Sequence, residues 1–315
     1  MSAIPWVGQD IVEWKNVVES TLPTIGIINK HALKNGRKER LDKKEFLSIP
    51  YSFLAMLVGF IDGDGYISIT KSTKGFITLN LTISLHIKDL SVLQYIQTVL
   101  GIGRINLYPK SGKQDTARAQ RATYRPPKGA DTCKLIINKT DLQEVLFPLF
   151  LHHNLLFLTN TRREQFDKAI FILQNGITLF SAIPAVVPSM YPIPSTASGY
   201  RNLPFFNNWI VGFTMAEGSF LVKNNHDACF QLRQRTHVLL FEAFKLVFET
   251  NRKIGLDSGS YNLFSVSSIY DIQKVIDFFS FSGCHPLVGL KLIQYEQWLM
   301  YLRDSKRYGN LKFPD

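Results

Sequence analysis

The chain has 315 residues, 45% hydrophobic and 19% charged, so it holds core material for one large domain or two of about 150 residues, and general disorder is excluded. Its longest purely apolar stretch, Phe53 to Ile61, is nine residues against the roughly 20 that a membrane-spanning helix needs, so no membrane partner is expected. Lysine and arginine number 36 against 25 acids, a net charge of +11 that fits a polyanionic partner, although an anionic membrane surface or plain solubility would also suit the charge taken alone.

In chain order, residues 1–48 read as a basic, weakly periodic extension with no signal peptide and no Arg-rich amphipathic presequence. Tyr51 to Ile61 is apolar on nearly all sides and predicts a buried helix. Tyr66 to Thr70 and Ile77 to His86 alternate with a period of two and predict a hairpin; Asp89 to Leu100 predicts a helix ended by Gly101. Arg104 to Tyr108 and Cys133 to Ile137 follow as strands separated by a long loop, then Asp141 to Phe150 and Arg162 to Gln174 as helices. A proline-rich linker (177–204) leads to a second series of the same order: Asn208 to Met215, Ser219 to Val222, Ala228 to Gln234, Val238 to Thr250, Ile254 to Leu256, Asn262 to Val266, Ile269 to Ser280 and Leu290 to Arg303. Cys133, Cys229 and Cys284 lie too far apart for a zinc site or a disulfide framework, and reduced thiols are expected.

The second series is a duplicate of the first. Leu57-Val-Gly-Phe-Ile-Asp-Gly-Asp-Gly-Tyr66 recurs as Ile210-Val-Gly-Phe-Thr-Met-Ala-Glu-Gly-Ser219, 153 residues later. Thr82 to Leu93 pairs with Phe230 to Phe241 at an offset of 148, Thr140 to Val145 with Tyr270 to Val275 at 130, and Arg162 to Phe166 with Lys291 to Tyr295 at 129. A falling offset with preserved order means two copies of one α-β-β-α-β-β-α-α unit, residues 49–176 and 205–307, the second shorter between its later strands, with 308–315 as a tail.

The duplicated motif places an acid at the same point of each copy, Asp64 and Glu217, at the end of an apolar helix. Gly59 and Gly63 in one copy, Gly212 and Ala216 in the other, are four apart and line one helical face, which lets two helix backbones approach closely. If these helices pack about a pseudo-twofold axis, the two acids emerge side by side at its foot. Carboxylates that close repel, and one holds a proton unless a cation lies between them. A hydrated hard divalent ion, Mg²⁺ above all, is the natural occupant, with Mn²⁺ or Ca²⁺ as experimental substitutes. Such an ion activates water and stabilises charge on a phosphate under in-line attack.

Leu57 to Gly65 resembles the signature of the LAGLIDADG homing endonucleases, in their single-chain, two-repeat form, over roughly residues 50 to 305. The resemblance implies an α/β (α+β) fold in which two curved, four-stranded antiparallel sheets form a DNA-binding saddle around a central two-helix interface, in a monomeric protein. It also implies that Asp64 and Glu217 are the metal-binding catalytic acids. Copy two departs from the pattern: Thr214-Met215 stands where copy one has Ile61-Asp62, so Asp62 is expected to be a cap or interface residue rather than a ligand. The family further keeps a basic residue ahead of the last helix and a polar residue on the second strand. Here these are Lys291 and Gln231, with Arg162 and Thr82 at the matching points of copy one. Lys291 suits a point charge near the scissile phosphate, whereas arginine cannot serve as a general base, so unequal half-sites are expected.

Alternation on the strands exposes Ser68, Thr70, Lys71, Thr78, Asn80, Thr82, Ser84 and His86 in copy one, and Gln231, Arg233 and Arg235 in copy two, residue types that read base edges in a major groove. The long loop adds Lys110, Lys113, Arg118, Arg121, Arg125 and Lys128, which suit an arm along a phosphate backbone. Residues 2–14, Ser-Ala-Ile-Pro-Trp-Val-Gly-Gln-Asp-Ile-Val-Glu-Trp, resemble a piece of mitochondrial cytochrome b, as expected where a reading frame runs from an exon into a group I intron. The leading expectation is a site-specific double-strand DNA endonuclease acting in the mitochondrion. The alternative is an RNA-binding maturase for the host intron.

Overall fold

The computed structural model describes residues 43–109, 130–189, 193–235, 237–257 and 259–315. In the first repeat, α1 (Tyr51–Asp64) runs into β1 (Gly65–Lys71) and β2 (Ile77–His86), then α2 (Leu90–Leu100), β3 (Arg104–Pro109) and β4 (Ala130–Asn138). A π-helical turn, Leu142–Leu146, leads into α3 (Phe147–His152), and α4 (Asn160–Gln174) closes the repeat. The second repeat is α5 (Phe206–Glu217), β5 (Gly218–Val222), β6 (Ala228–Arg235), α6 (Val238–Val247), β7 (Gly255–Asp257), β8 (Tyr261–Val266), α7 (Ile269–Ile276) with a π turn at Asp277–Phe281, and α8 (Leu290–Asp304). The helix after β6 is shorter than its apolar run predicts, because Glu249 takes a positive φ of 49° just beyond it and turns the chain away.

Each repeat forms one four-stranded antiparallel sheet with the same order, β1-β2-β4-β3 and β5-β6-β8-β7. The duplication read from the offsets is therefore a duplication of topology. Tyr66 faces Thr82 across the first sheet, and Ser219 faces Gln231 across the second, so on the second strand the counterpart of Thr82 is Gln231, one residue beyond the Phe230 that the offset of 148 pairs with it.

Helices α1 and α5 meet at the centre. Every residue from Phe53 to Asp62 is buried, which is why that stretch is apolar all round. The glycines set the approach. A β-carbon on Gly212 would fall 1.8 Å from the Met56 carbonyl oxygen, and one on Gly59 would fall 2.0 Å from that of Trp209. No other residue fits either position.

Register corrects two assignments on the first sheet. Lys71 pairs with Ile77, and so shares the face of Ile67 and Ile69; it is exposed because β1 has outrun the core there. Two consecutive strand residues cannot share a face, so Thr70 points outward and Lys71 does not. Thr82 has the outward parity but is only 5% exposed, hemmed by Tyr66 on one neighbouring strand and Ile136 on the other. A short side chain between two large ones is covered.

The end of the last helix and the segment after it perform the same task in each repeat. Thr178 and Phe180 bond to Ile77 and Gly75 at the tip of the β1–β2 hairpin. At the matching tip in repeat two, the Tyr301 hydroxyl donates to the His226 carbonyl and Arg307 pairs with Asp227. The tail is also docked: Tyr308 is buried, and Gln273 and Lys312 exchange hydrogen bonds. All three cysteines are free thiols. Among the described residues no helix is long and apolar enough to cross a membrane.

Candidate nucleic-acid cleavage site

Asp64 and Glu217 are the last residues of α1 and α5, and the helices that carry them touch through backbone. The Glu217 Cγ stands 3.2 Å from where a β-carbon on Gly63 would be, so the second acid folds against the foot of the first helix. Burial, and then the charge of Glu217, push the Asp64 carboxyl up to about 7; Lys291 pulls it back. Burial also raises Glu217, opposed by a 2.9 Å hydrogen bond from Gln234 and by Arg233 and Lys291. Two largely desolvated carboxyls, one of them raised further by the charge of the other, call for a cation or a proton.

The basic residue of repeat two belongs to this pair. The Lys291 ammonium donates to the Gly218 carbonyl at 2.5 Å and to Gln294 Oε1 at 3.2 Å. Burial lowers its pKa, against the pull of Asp64, Asp89 and Glu217. Asp64, Asp89, Lys291 and Gln294 line a cavity of about 540 Å³ between the repeats, together with Ser84 and His86.

Arg162, its counterpart in repeat one, is engaged elsewhere. Its Nε donates to the Ile61 carbonyl and a terminal nitrogen donates to Gln165 Oε1 at 2.7 Å. Asp62, rather than Asp64, is the acid that acts on it. Gln231, on the second strand, bonds Ser265 at 3.1 Å and lies on the outward face.

Asp62 is only 1% exposed, and four donors surround it: the Leu158 and Thr159 amides, the Thr159 hydroxyl and the Trp209 indole N–H, at 2.6 to 3.2 Å. Burial drives its carboxyl up to about 6 against those donors. It ties the entry of α4 to the opposite repeat and is not free to ligate a metal.

For a metal, the donor set is two carboxylates from opposite repeats. Among the described residues no group of three or more His, Cys, Asp or Glu could hold an ion by itself. That suits Mg²⁺, which keeps several waters and takes one or two carboxylates plus substrate phosphate, and it does not suit a fully protein-ligated ion. Asp64 and Glu217 fit the group on the chemistry of their oxygens and on the mutual repulsion a cation would relieve.

The outward face of the first sheet carries Ser68, Thr70, Thr78, Asn80, Ser84 and His86, where alternation placed them; the His86 ring accepts from the Lys88 amide. The same register adds Arg104, Asn106 and Lys134, which strand alternation in β3 and β4 already contained. On the second sheet Arg233 and Arg235 are exposed. The Arg233 guanidinium lies 4.1 Å from the Tyr261 ring centroid, and its Nε bonds Asp257 at 2.6 Å. Lys110, Lys113, Arg118, Arg121, Arg125 and Lys128 lie outside the described residues. Gln234 is the residue that sequence reading missed. It holds Glu217 from an inward register position, where repeat one has Leu85, and the signal was a polar residue breaking an apolar alternation.

Residues 57–123 match the family model described as LAGLIDADG endonuclease. The chain is 26% identical over 265 residues to the "Probable intron-encoded endonuclease 3" of Neurospora crassa, covering 76% of this chain and 48% of that relative, so it spans about half of the relative's length. Among solved structures it is similar to the I-LtrWI LAGLIDADG homing endonuclease bound to target DNA, with a TM-score of 0.59 and 18% identity over 80% of this chain and 90% of the other. It is similar as well to the meganuclease I-SmaMI bound to uncleaveable DNA, with a TM-score of 0.58 and 20% identity over 81% and 92%. The fold is thus the duplicated, single-chain LAGLIDADG fold, and the first repeat carries the family's match well beyond its nine-residue signature.

Proposed function

We propose that this chain is a LAGLIDADG-type homing endonuclease, a site-specific DNA endonuclease that hydrolyses one phosphodiester on each strand of a long, asymmetric target with Mg²⁺ as cofactor. The observation that carries the proposal is the pairing of Asp64 and Glu217, one from each repeat, at the foot of a helix pair in backbone contact, with both carboxyls raised. An ion bound there would supply a hydroxide-like water and neutralise charge on the phosphate.

The chain's own residues do the rest. Asp64 would hold the ion as its carboxylate, giving up the proton that burial and Glu217 favour. Gln234 keeps Glu217 turned toward the pair. Lys291 presents a fixed positive charge beside Asp64, where a phosphate oxygen gains charge during attack. Arg162, bound to Ile61 and Gln165, braces its half of the site, and its charge acts on Asp62 rather than on the acid pair. The outward residues of the two sheets, different on each side, each read their own half of the target, so a near-palindrome is not required.

The cytochrome-b-like residues 2–14 and the similarity to a protein named an intron-encoded endonuclease support a product of a mitochondrial group I intron, active as a monomer in homing. The test is incubation of the purified protein with intronless cytochrome b DNA and Mg²⁺, with the ends mapped. A double-strand break near the exon junction is expected. No cleavage, combined with tight binding to the group I intron RNA, would replace this reading with that of an RNA-binding maturase.

A further inference from the structure

The entry of the last helix is anchored differently in the two repeats. In repeat one, Asp62 holds the Leu158 and Thr159 amides immediately before α4. In repeat two the same place is Met215, which has no oxygen to offer. The anchor there comes from the other repeat: Asp89, in the 3₁₀ turn before α2, accepts the Leu290 amide on Oδ1 at 3.0 Å. Leu290 is the first residue of α8, and Lys291 is the second. Gly289, just ahead, takes a φ of 67°, and a β-carbon on it would fall 2.9 Å from Asp89 Oδ1 and 2.2 Å from Val92. The turn can be made only by glycine, pressed against the carboxylate that holds it.

Asp89 also lines the cavity that contains Asp64 and Lys291, so the anchored turn and the ammonium share one wall. On the opposite side the position equivalent to Asp89 is His237. Its amide donates to Asn262 Oδ1, its ring packs edge-on against Tyr200, and the same ring lies against the Leu158 backbone just ahead of α4, so it reaches the matching turn of repeat one with an imidazole in place of a carboxylate. The two contacts differ in kind, since only the one from Asp89 offers a carboxylate to the first amide of a last helix.

We propose that Asp89 is a positioning residue for Lys291: by capping α8 from across the repeat interface, it replaces the anchor that repeat two lost at Met215 and fixes the lysine beside Asp64. This rests on the proposed role of Lys291 in cleavage, and the consequence is specific to one strand. Removing the cap lets the first turn of α8 shift, and a displacement of that order in a charged group is felt in rate more than in binding.

The test has two readouts. The first needs neither DNA nor metal: the rate at which Lys291 is acylated by an amine reagent, followed by mass spectrometry. Asp89→Ala should speed acylation by about tenfold, and Asp89→Asn, which keeps an acceptor oxygen for the Leu290 amide, should leave it within about twofold of the parent. The second is strand-resolved nicking of a target plasmid with Mg²⁺. Asp89→Ala should slow one nick by about tenfold, leave the other within about twofold, and leave metal-free DNA affinity unchanged, with Asp89→Asn again close to the parent. Unchanged Lys291 protection in Asp89→Ala would overturn the positioning role, and so would equal slowing of both strands or equal loss in both variants. Lys291→Met, run beside them, separates the two ideas. If it cleaves both strands normally, the role given to Lys291 has failed; if it slows one nick while Asp89→Ala does not, Asp89 has failed.

Discussion

The two repeats share a topology and a register but solve the same local problems with different chemistry. In the last turn of the central helix, repeat one buries Asp62 among four donors, whereas repeat two has Met215. At the start of the last helix, repeat one uses Arg162 to grip Ile61 and Gln165, whereas repeat two points Lys291 at the acid pair. On the second strand an apolar Leu85 in one becomes Gln234 in the other, bonded to Glu217. The difference teaches that the duplicate preserved the scaffold and the two acids while dividing the remaining duties. One half invests its polar groups in rigidity, and the other places them around the site.

The largest expected effect concerns what the halves share. Asp64→Asn or Glu217→Gln should each lower double-strand cleavage by about a thousandfold, with metal-free DNA binding held within about tenfold, since each removes a hard-cation ligand. Plasmid linearisation with parallel gel-shift titrations checks it. Nicked product from one variant alone would show that the two cuts use partly separate ions.

Next comes what they do not share. Asp62→Ala leaves the Trp209 indole, two amides and a hydroxyl without an acceptor, and should cost about 3 kcal/mol or more in stability. Met215→Leu should cost less than about 1.5 kcal/mol. Urea unfolding of both variants measures the contrast, and similar losses would erase the distinction drawn here.

The sheets offer a third comparison. Arg233 is stacked on Tyr261 with its Nε held by Asp257, which fixes the plane of its guanidinium, while Ser84 stands at the matching point of repeat one. Arg233→Ala should relax discrimination at one base pair of its half-site by about 1–3 kcal/mol, and Ser84→Ala by much less. Binding selection with randomised targets would show it. A uniform loss across all positions would make Arg233 a phosphate contact instead.

The smallest effect is a pH dependence of stability. Asp64 is raised to about 7 in the folded chain by burial and by Glu217. A carboxyl raised above its unfolded value of about 4 gives stability that is whole below that value and is lost as pH rises through about 7. Without divalent ions the melting temperature should therefore fall between about pH 4 and 8, and Mg²⁺ should restore part of it at the upper end by binding the ionised form. A flat profile that Mg²⁺ leaves unchanged would mean that Asp64 is not held in this way.

Much of this was legible in the residues. Repetition of a nine-residue motif fixed the number of units, their order and the location of the acids, because helix period and small-residue spacing act over a few residues. What escaped depends on neighbours distant in sequence. The burial of Thr82 comes from Tyr66 and Ile136 on flanking strands, and the face of Lys71 comes from strict alternation that a list of polar residues overlooks. Asp89 looked like an ordinary residue at a helix start, and its partner lies 201 residues away.

The central claim is that two acids from opposite repeats form one cation site. Mn²⁺ binding to the protein on uncleaved target DNA, followed by electron paramagnetic resonance, tests it most directly. The account predicts that Asp64→Asn and Glu217→Gln each lose most of the bound Mn²⁺ signal. Retention of the full signal in both variants would place the metal elsewhere and contradict the account.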